Sequence, residues 1–537
     1  MKIILNEDQK KQRKKIVKVW NSGEPVCIDG SVMGTGKTIV TCKLSEDFDQ
    51  ILAITPATIV PNWIDETNKY DVKLTILSYE TLTSSKNQTP KHPFLTREDI
   101  DGEIIFKVTE KFKELVKKGI CLVADEFHRI KKKNSRYFAF KALCDYICET
   151  KNIYNSKILL LSGSPYCEIE HPCNILQMIN IIKSDLIFKF DKHDNRILLT
   201  GLEELINYCK NIDEDETENI LMKYSINNKN VYEIAFELYV KIVQKKIVCA
   251  MPSPKLDAKL YCYNAYFNME ESAAKKLKQS IDNLKSAVGN KNKILKNDIA
   301  ITTALRYKQN DKISIYERIS KIILKMAPTN KLCIFLDFDE AIFDVYDRLK
   351  NYNPHLITGK IDKNERNDII KKFQEDNCEC RLLILNTAIG CEGINLDDVH
   401  GNFKRYVLVE PSFYIIRMHQ LMRRFLRVTT KSDTIIYCVY AVCGSFETNI
   451  INSTARKSIV MKETLEAQVS EGILFPADYP QVEEKNFLND SFEMLPVEKI
   501  VAEETKKNSV CKKSIVKNFK VMNMMLESNI VNDSFGF

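Results

Sequence analysis

The chain contains two series of short apolar runs, and each run ends at a turn residue or a polar segment. Such runs, separated by longer amphipathic stretches, are typical of strands that a parallel sheet buries on both faces. In the first series the predicted strands are 26–28, 51–55, 74–79, 120–124 and 158–161. In the second series they are 332–336, 355–357, 381–385, 406–409 and 434–438. The pattern therefore predicts two α/β domains, each built on a parallel sheet.

The stretches outside these two series have a different pattern. From about 170 to 325 the sequence is helical and irregular, and after about 470 the periodicity weakens. We therefore predict a first lobe at 1–182, a helical insertion or linker at 183–325, a second lobe at 326–470 and a partly ordered tail at 471–537.

Composition sets the broad class of protein. A length of 537 residues is enough for two or three domains, and 44% hydrophobic with 28% charged residues describes a soluble globular chain. The net charge of +7 permits binding to a polyanion without requiring it. The seventeen cysteines form no paired CxxC units, so they predict small core residues in a reducing compartment rather than a zinc site. Because no apolar stretch is long enough to span a membrane, we expect an intracellular protein with no membrane partner.

A glycine-containing turn follows the first predicted strand and reads Met-Gly-Thr-Gly-Lys-Thr, with Gly34, Thr35 and Gly36 at its centre. A helix N-terminus presents unpaired N–H groups to an anion, and glycine lets the backbone approach that anion closely. Lys37 can then reach the β- and γ-phosphates of ATP, and the hydroxyl of Thr38 can ligate Mg²⁺. The strict phosphate-loop pattern has a glycine at position 31, where this chain has a serine, so an ordinary glycine turn remains the alternative.

Two acidic residues, Asp125 and Glu126, end the predicted strand 120–124, and a Ser-Gly-Ser-Pro turn ends the strand 158–161. Ligands of parallel sheets gather at the carboxyl ends of the strands, so both turns should lie near the glycine loop. Asp125 could hold Mg²⁺ through its water shell, and Glu126 could orient or deprotonate an attacking water. The alternative is structural, with Asp125 as the N-cap of a helix.

These motifs, in this order, resemble those of the superfamily 2 helicases and translocases, and within them the Swi/Snf-type ATPases. The segment 125–131 resembles the DEAH-type box, with Phe127 at the position where alanine is usual, and 161–165 resembles the motif that couples hydrolysis to movement. The resemblance implies two RecA-like parallel-sheet lobes with a helical insertion and a C-terminal appendage. It also implies ATP and Mg²⁺ as cofactors and nucleic acid as the partner.

The resemblance assigns further roles residue by residue. It implies that Gln9 reads adenine and that Gly393 contributes to the ATP site. The residues that couple hydrolysis to movement would be His128, Ser162 and Ser164, and those that contact nucleic acid would be Thr55, Pro56, Trp63 and Thr387.

Gln420, Arg424 and Arg427 reproduce the spacing Gln-x3-Arg-x2-Arg. On a helix, offsets of four and three residues place all three side chains on one face. The resemblance implies that the two arginines reach the γ-phosphate, as catalytic residues together with the glutamine. The alternative is a basic surface helix.

The sequence therefore predicts an ATP-hydrolysing translocase or helicase that acts on DNA, with duplex DNA preferred. One alternative is an RNA helicase or transcript-release ATPase. Another, from a different class, is a nucleic-acid-binding scaffold with a vestigial ATP site. The tail is a candidate for binding a protein partner. A large DNA virus is a suggested origin, so we expect a cytoplasmic, nuclear or virion-associated protein.

Overall fold

The computed structural model describes residues 3–83, 92–100, 103–186, 189–191, 196–198, 200–225, 230–254, 256–289, 296–308, 312, 314–391, 393–442 and 445–464. The predicted tail, 471–537, lies outside these residues. The chain forms two compact units. The first contains the described residues up to Pro254 together with the end of the last helix from Lys457, and the second contains the described residues from 256 to Arg456.

The described residues of the first unit form ten strands: β1 (Val26–Asp29), β2 (Gln50–Thr55), β3 (Leu74–Ser78), β4 (Leu95–Ile100), β5 (Glu103–Val108), β6 (Ile120–Asp125), β7 (Lys157–Leu161), β8 (Lys189–Asp191), β9 (Arg196–Leu198) and β10 (Val248–Cys249). Six of these strands form one sheet in the order β10-β1-β7-β6-β2-β3, and all neighbours in it are parallel. The other four form two antiparallel pairs, β4-β5 and β8-β9. Every strand predicted from the first series of apolar runs is therefore present.

Helices pack on both faces of this sheet, which is why its central strands are fully buried. They are α1 (Glu7–Asn21), α2 (Lys37–Leu44), α3 (Val60–Tyr70), α4 (Tyr79–Thr83), α5 (Glu110–Lys118), α6 (Ser135–Glu149), α7 (Glu170–Met178), α8 (Thr200–Lys210), α9 (Glu214–Leu221), α10 (Val231–Leu238) and α11 (Gln244–Ile247).

The second unit is also a parallel α/β sheet. Its strands are β11 (Leu260–Asn268), β12 (Lys331–Leu336), β13 (His355–Ile357), β14 (Leu382–Asn386), β15 (Arg405–Val409) and β16 (Thr434–Val442), in the order β11-β16-β15-β12-β14-β13. Its helices are α12 (Glu271–Gly289), α13 (Lys296–Leu305), α14 (Ile315–Met326), α15 (Asp339–Arg348), α16 (Lys363–Gln374), α17 (Thr387–Gly390), α18 (Ile415–Met422) and the first part of α19 (Ser445–Thr464). The predicted fold class, two RecA-like parallel-sheet lobes, is confirmed.

The stretch 183–325 is divided between the two units at Pro254 and does not form a compact unit of its own. It contains helices α8 to α14 and the antiparallel pair β8-β9, and it also supplies β10 and β11, one edge strand of each six-stranded sheet. Neither β10 nor β11 is among the strands predicted from the sequence.

Most cysteines of the described residues are buried and none of them is in a disulfide, as the interpretation of small core residues requires. No helix in the part of the chain that the structure describes is both long enough and apolar enough to cross a membrane.

Candidate functional site

The glycine turn between β1 and α2 has the backbone of an anion-binding loop. Gly34 and Gly36 have φ angles of 83° and 89°, which side-chain-bearing residues rarely adopt. Gly36 is the N-cap of α2 and has no side chain to occupy the free N–H groups of the first turn, so these groups remain for a ligand.

Lys37 begins α2, and its ammonium group turns back over the loop. It donates hydrogen bonds to the carbonyl oxygens of Ser31 at 2.8 Å and Val32 at 3.3 Å. A phosphate group is a stronger acceptor than these carbonyls because it carries charge. The lysine is therefore held close to the loop by bonds that a phosphate could replace.

Gln9 lies against the same loop. Its side-chain Oε1 accepts the N–H of Asn6 at 3.1 Å in a capping box of α1, and its Nε2 donates to the carbonyl oxygen of Thr35 at 3.2 Å. A Cβ added to Gly36 would lie 2.4 Å from this Nε2. The predicted adenine-reading residue is thus a neighbour of the loop, and its contact with adenine stays a prediction.

Asp125 ends β6, and buried hydrogen-bond donors surround it. Its Oδ2 accepts the indole N–H of Trp63 at 2.8 Å and the hydroxyl of Thr55 at 3.5 Å. The hydroxyl of Tyr79 donates to its backbone carbonyl at 2.9 Å. Burial raises the pKa of Asp125 to about 6, and the adjacent charge of Glu126 adds to the shift. A nearby cation would stabilise the ionised form of such a carboxylate.

The alternative of Asp125 as a helix N-cap is wrong. A 3₁₀ turn, Phe127–Ile130, follows the acidic pair, and its N-cap is Glu126, with no side-chain cap hydrogen bond. Glu126 takes the left-handed conformation, with φ of 52°, which is uncommon for this residue type and marks a constrained position.

The side chain of Glu126 contacts two of the predicted coupling residues. Its Oε2 lies 3.2 Å from Nδ1 of His128 and accepts the hydroxyl of Ser162 at 3.4 Å. The same Nδ1 and hydroxyl are 3.4 Å apart, so the three side chains form a triangle. The Ser162 hydroxyl also accepts the N–H of Ser164 at 3.2 Å. The structure therefore brings three of the predicted residues together around one carboxylate.

The sheet register places these turns at one edge. Asp29 of β1 and Asp125 of β6 both align with Leu161 of the intervening strand β7. A Cβ added to Gly163 would lie 3.2 Å from the carbonyl oxygen of Ser31, so the Ser-Gly-Ser turn packs directly on the glycine loop. The loop, the acidic pair and the turn form one site at the carboxyl edge of the first sheet.

The residues present fit a magnesium nucleotide. The site offers a hydroxyl at Thr38 and a carboxylate at Asp125, and Mg²⁺ binds such oxygen ligands together with phosphate oxygens and water. Among the described residues, no group of three His, Cys, Asp or Glu side chains is arranged to hold a metal ion by itself. A cation here would be shared with the ligand.

The predicted nucleic-acid contacts are not available at the surface of this structure. Thr55, Pro56 and Thr387 are buried, and Trp63 is fully buried. The indole of Trp63 is enclosed in the core and its N–H is used by Asp125, so its contact with nucleic acid stays a prediction that this structure does not favour.

In the second unit, the predicted single helix face with Gln420, Arg424 and Arg427 is not observed. Gln420 lies buried on α18, but this helix ends at Met422, and both arginines follow it. The N–H of Arg424 bonds the carbonyl of Leu421, three residues back, at 2.9 Å. A hydrogen bond to the residue three back is that of a 3₁₀ turn, which tightens and ends the α-helix. Offsets of four and three residues therefore no longer place the three side chains on one face.

The two arginines have different environments. Arg424 is buried and donates to the carbonyl oxygen of Cys391 from Nε at 2.9 Å and from Nη2 at 2.6 Å. It thereby holds the loop that contains Gly393, whose φ is 70°. Arg427 is half-buried, and burial together with the charge of Arg424 lowers its pKa to about 10. The charge of Asp397 opposes this shift only in part, so the desolvated guanidinium would still gain from a further anion.

Sequence reasoning missed the roles of Asp29, Ser31 and Tyr79. Tyr79 begins α4, and its contact with the backbone of Asp125 had no signal in the sequence. Ser31 departs from the phosphate-loop pattern, and Asp29 accepts its N–H at 2.9 Å. The serine at a position where the phosphate-loop pattern has glycine was the one feature of the sequence that pointed to Ser31 and to Asp29.

The fold and the site define a parallel α/β protein with a glycine loop before α2 and an adjacent acidic pair. Residues 314–429, in the second unit, match the family model of the helicase conserved C-terminal domain.

Three curated proteins are similar to the chain. The CHD3-type chromatin-remodeling factor CHR7 of Arabidopsis thaliana is 19% identical over 397 residues, which cover 68% of this chain and 30% of the relative. The DNA repair and recombination protein RAD54-like of Drosophila ananassae is 20% identical over 556 residues, covering 91% and 64%. The DNA repair and recombination protein RAD54 of Saccharomyces cerevisiae is 22% identical over 535 residues, covering 88% and 56%. The chain spans less than two thirds of each relative, and these similarities support the resemblance to superfamily 2 helicases and Swi/Snf-type ATPases.

Proposed function

We propose that the chain is an ATPase that uses ATP hydrolysis to move along DNA, with duplex DNA as the preferred track. One observation carries the proposal: the glycine loop, the acidic pair and the Ser-Gly-Ser turn meet at one edge of the first sheet. The helicase-type match of the second unit supports the class of enzyme.

In this proposal the loop Gly34–Thr38 binds the phosphates of ATP through its N–H groups and Lys37. Thr38 and Asp125 would hold Mg²⁺, which supplies positive charge to the phosphate oxygens. Asp125 is kept in place by the indole of Trp63. The buried position of that pair excludes water from one side of the site.

Glu126 is the residue that would orient the attacking water and accept its proton. His128 and Ser162 fix its carboxylate through contacts of 3.2 and 3.4 Å. Because Ser162 also binds the backbone of Ser164, a shift of the Ser-Gly-Ser turn would move Glu126. This contact is the physical basis for assigning the turn a coupling role.

Arg427 is the better candidate for a phosphate contact among the two arginines. Arg424 is occupied with backbone carbonyls, whereas the Nε of Arg427 has no hydrogen-bond partner among the described residues. We assign to Arg427 the charge-stabilising role that the resemblance implies. Arg424 would support it by holding the backbone carbonyls of Cys391 and Ile394 in place.

DNA as substrate follows from the relatives, whose names describe DNA repair and chromatin remodelling. An enzyme of this kind would work in the nucleus or the cytoplasm. The viral origin and the protein partner of the tail stay predictions.

The test is steady-state ATP hydrolysis by the full chain without nucleic acid and with duplex DNA, single-stranded DNA or RNA. Glu126→Gln is the test variant, and Glu80→Gln, which alters a half-exposed glutamate paired with Arg136, is the control. We expect stimulation by duplex DNA that Glu126→Gln abolishes and Glu80→Gln preserves. Stimulation by RNA alone would assign the enzyme to the RNA branch. Binding of nucleic acid without turnover would favour the scaffold with a vestigial ATP site.

A further inference from the structure

Ser31 is the position at which the chain departs from the phosphate-loop pattern, and it is fully buried. Each of its three polar groups binds a different part of the first unit. Its N–H donates to Oδ1 of Asp29 at 2.9 Å, and its carbonyl oxygen accepts the ammonium group of Lys37 at 2.8 Å. Its hydroxyl oxygen accepts the backbone N–H of Met251 at 2.8 Å. A glycine at this position could make the first two bonds but not the third.

Met251 belongs to the segment that ends at Pro254, where the chain leaves the first unit. This segment is joined closely to the strand before the loop. Ile28 and Asp29 pair with Val248 and Cys249, and the N–H of Gly30 donates to the carbonyl of Cys249 at 2.9 Å. Ser31 continues this alignment by one further hydrogen bond, beyond the last residue of β10. The exit segment is thus held in register with the start of the loop.

The carbonyl and the hydroxyl of Ser31 therefore connect the phosphate-binding lysine with the exit segment. Two of the three N–H donors of Lys37 bind the carbonyls of Ser31 and Val32, so a phosphate that takes the third and draws the ammonium group towards itself would lengthen these two bonds. Residue 31 cannot adjust by turning into solvent, since it is buried and Gly163 packs on its carbonyl. Ser31 can therefore respond only by a small displacement, and this displacement would change the length of the hydrogen bond from the N–H of Met251.

We propose that Ser31 is a positioning residue that couples occupancy of the phosphate loop to the exit segment Cys249–Met251. The proposal rests on the proposed nucleotide site and adds a route from that site to the chain that leaves the unit. Ser31 does not contact the reacting atoms in this scheme. It acts through Lys37 and Met251.

The test is amide hydrogen exchange of the full chain, resolved at Met251, with and without a non-hydrolysable ATP analogue and Mg²⁺. The variants are wild type, Ser31→Ala and Ser156→Ala. Ser156 is a matched control, because it is also buried, and its hydroxyl also accepts a backbone N–H, that of Ile120, at 2.9 Å. Ser156 directly precedes β7 and therefore lies at the amino ends of the parallel strands, whereas the candidate site lies at their carboxyl ends.

Without nucleotide we expect the Met251 amide to exchange about tenfold faster in Ser31→Ala, which is the effect of one lost hydrogen bond. In wild type and in Ser156→Ala, nucleotide should change the exchange of this amide by about threefold or more. In Ser31→Ala the nucleotide should bind but leave the exchange of this amide unchanged. Urea unfolding of both variants should show similar losses of stability.

Two results would overturn the inference while leaving the ATP site intact. One is nucleotide binding to wild type with no change at Met251. The other is a nucleotide-dependent change that persists in Ser31→Ala or disappears equally in Ser156→Ala. If the analogue does not bind wild type at all, the proposed function fails together with the inference.

Discussion

The indole N–H of Trp63 donates a 2.8 Å hydrogen bond to the Oδ2 atom of Asp125, with Trp63 fully buried. α3 thus provides a fixed donor to a carboxylate at the end of β6. The indole and the hydroxyl of Thr55 both donate to the same oxygen, Oδ2, and so favour one orientation of the carboxylate. The tryptophan is part of the support of the candidate magnesium ligand.

Replacing Trp63 by Phe should therefore impair the ATP site. The buried carboxylate would lose a donor, and we expect the free energy of unfolding to fall by about 1–3 kcal/mol. ATP turnover should fall by about 10- to 100-fold, as for other residues that support metal ligands. Trp20→Phe is the matched control, since the Trp20 indole is also buried and donates to the carbonyl of Ile158 at 3.3 Å. Equal loss of turnover in both variants would contradict the assigned role.

Gly36→Ala should abolish nucleotide binding by two separate effects. The alanine Cβ would lie 2.4 Å from the Nε2 of Gln9, and the φ of 89° costs about 1–2 kcal/mol for a residue with a Cβ. Gly23→Ala is the control, because Gly23 has a φ of 95° but nothing within 4 Å of the added atom. We expect Gly23→Ala to lower stability without changing the affinity for an ATP analogue, measured by calorimetry. Adding Gln9→Ala to Gly36→Ala should relieve only the steric part.

Arg424 and Arg427 should respond differently to truncation. Arg424→Ala leaves the carbonyl of Cys391 without its buried donors, so the free energy of unfolding of the second unit should fall by about 2–3 kcal/mol. Arg427→Ala should change stability by less than about 1 kcal/mol. It should nevertheless lower ATP turnover by about 10³-fold, as expected for a charge-stabilising arginine. Urea unfolding and steady-state turnover of the two variants measure both effects, and a stable, fully active Arg427→Ala would refute the assignment.

Glu410 should make the stability of the second unit depend on pH. It is buried, and its Oε2 accepts the N–H of Asp337 at 2.7 Å. Burial, followed by the charge of Asp337, raises its pKa from the ordinary value of 4.5 to about 8, although Arg306 opposes the shift. The folded state therefore binds more protons between these values, and the contribution to stability is present below pH 4.5 and is lost as pH rises to about 8.

Glu410→Gln cannot ionise and should remove this dependence. Between pH 5 and 8 the wild type should lose about 1–3 kcal/mol relative to the variant, measured by urea unfolding at each pH. Parallel stability profiles of the two proteins would show that Glu410 is ionised throughout this range.

Much of the fold was predictable because buried parallel strands have continuous apolar sequences. The strands 120–124 and 406–409 are examples, since both of their faces are covered. β10 was not predictable, because Val248–Cys249 is too short to show a period, and its pairing with β1 depends on distant sequence. β11 was missed because two asparagines interrupt its apolar sequence, Leu260–Asn268, and its pairing with β16 depends on distant sequence.

The glycine loop and the acidic pair could be picked out from local chemistry, and the structure brings them to one edge of the sheet, while their binding of a magnesium nucleotide stays a prediction. The burial of Trp63 and Thr55 was not predictable. A polar or aromatic residue at or beyond the end of a strand gives the same sequence pattern whether its side chain faces the core or a ligand. The difference between Arg424 and Arg427 depends on where α18 ends. The helix ends at Met422 because the N–H groups of Arg424 and Phe425 each bond the carbonyl three residues back. No residue in the sequence marks this end of the helix.

The first unit is completed by residues from far along the sequence, and this limits how the protein can be dissected. The Nε2 of Gln244 donates to the carbonyl of Thr464 at 3.2 Å, Lys457 lies 3.4 Å from Glu168, and Val460 packs in the core of the first unit. A recombinant fragment that stops at Pro254 would expose this apolar surface and leave Gln244 without its acceptor. Expression of the first unit alone will therefore require the peptide 457–464 to be fused or supplied in trans.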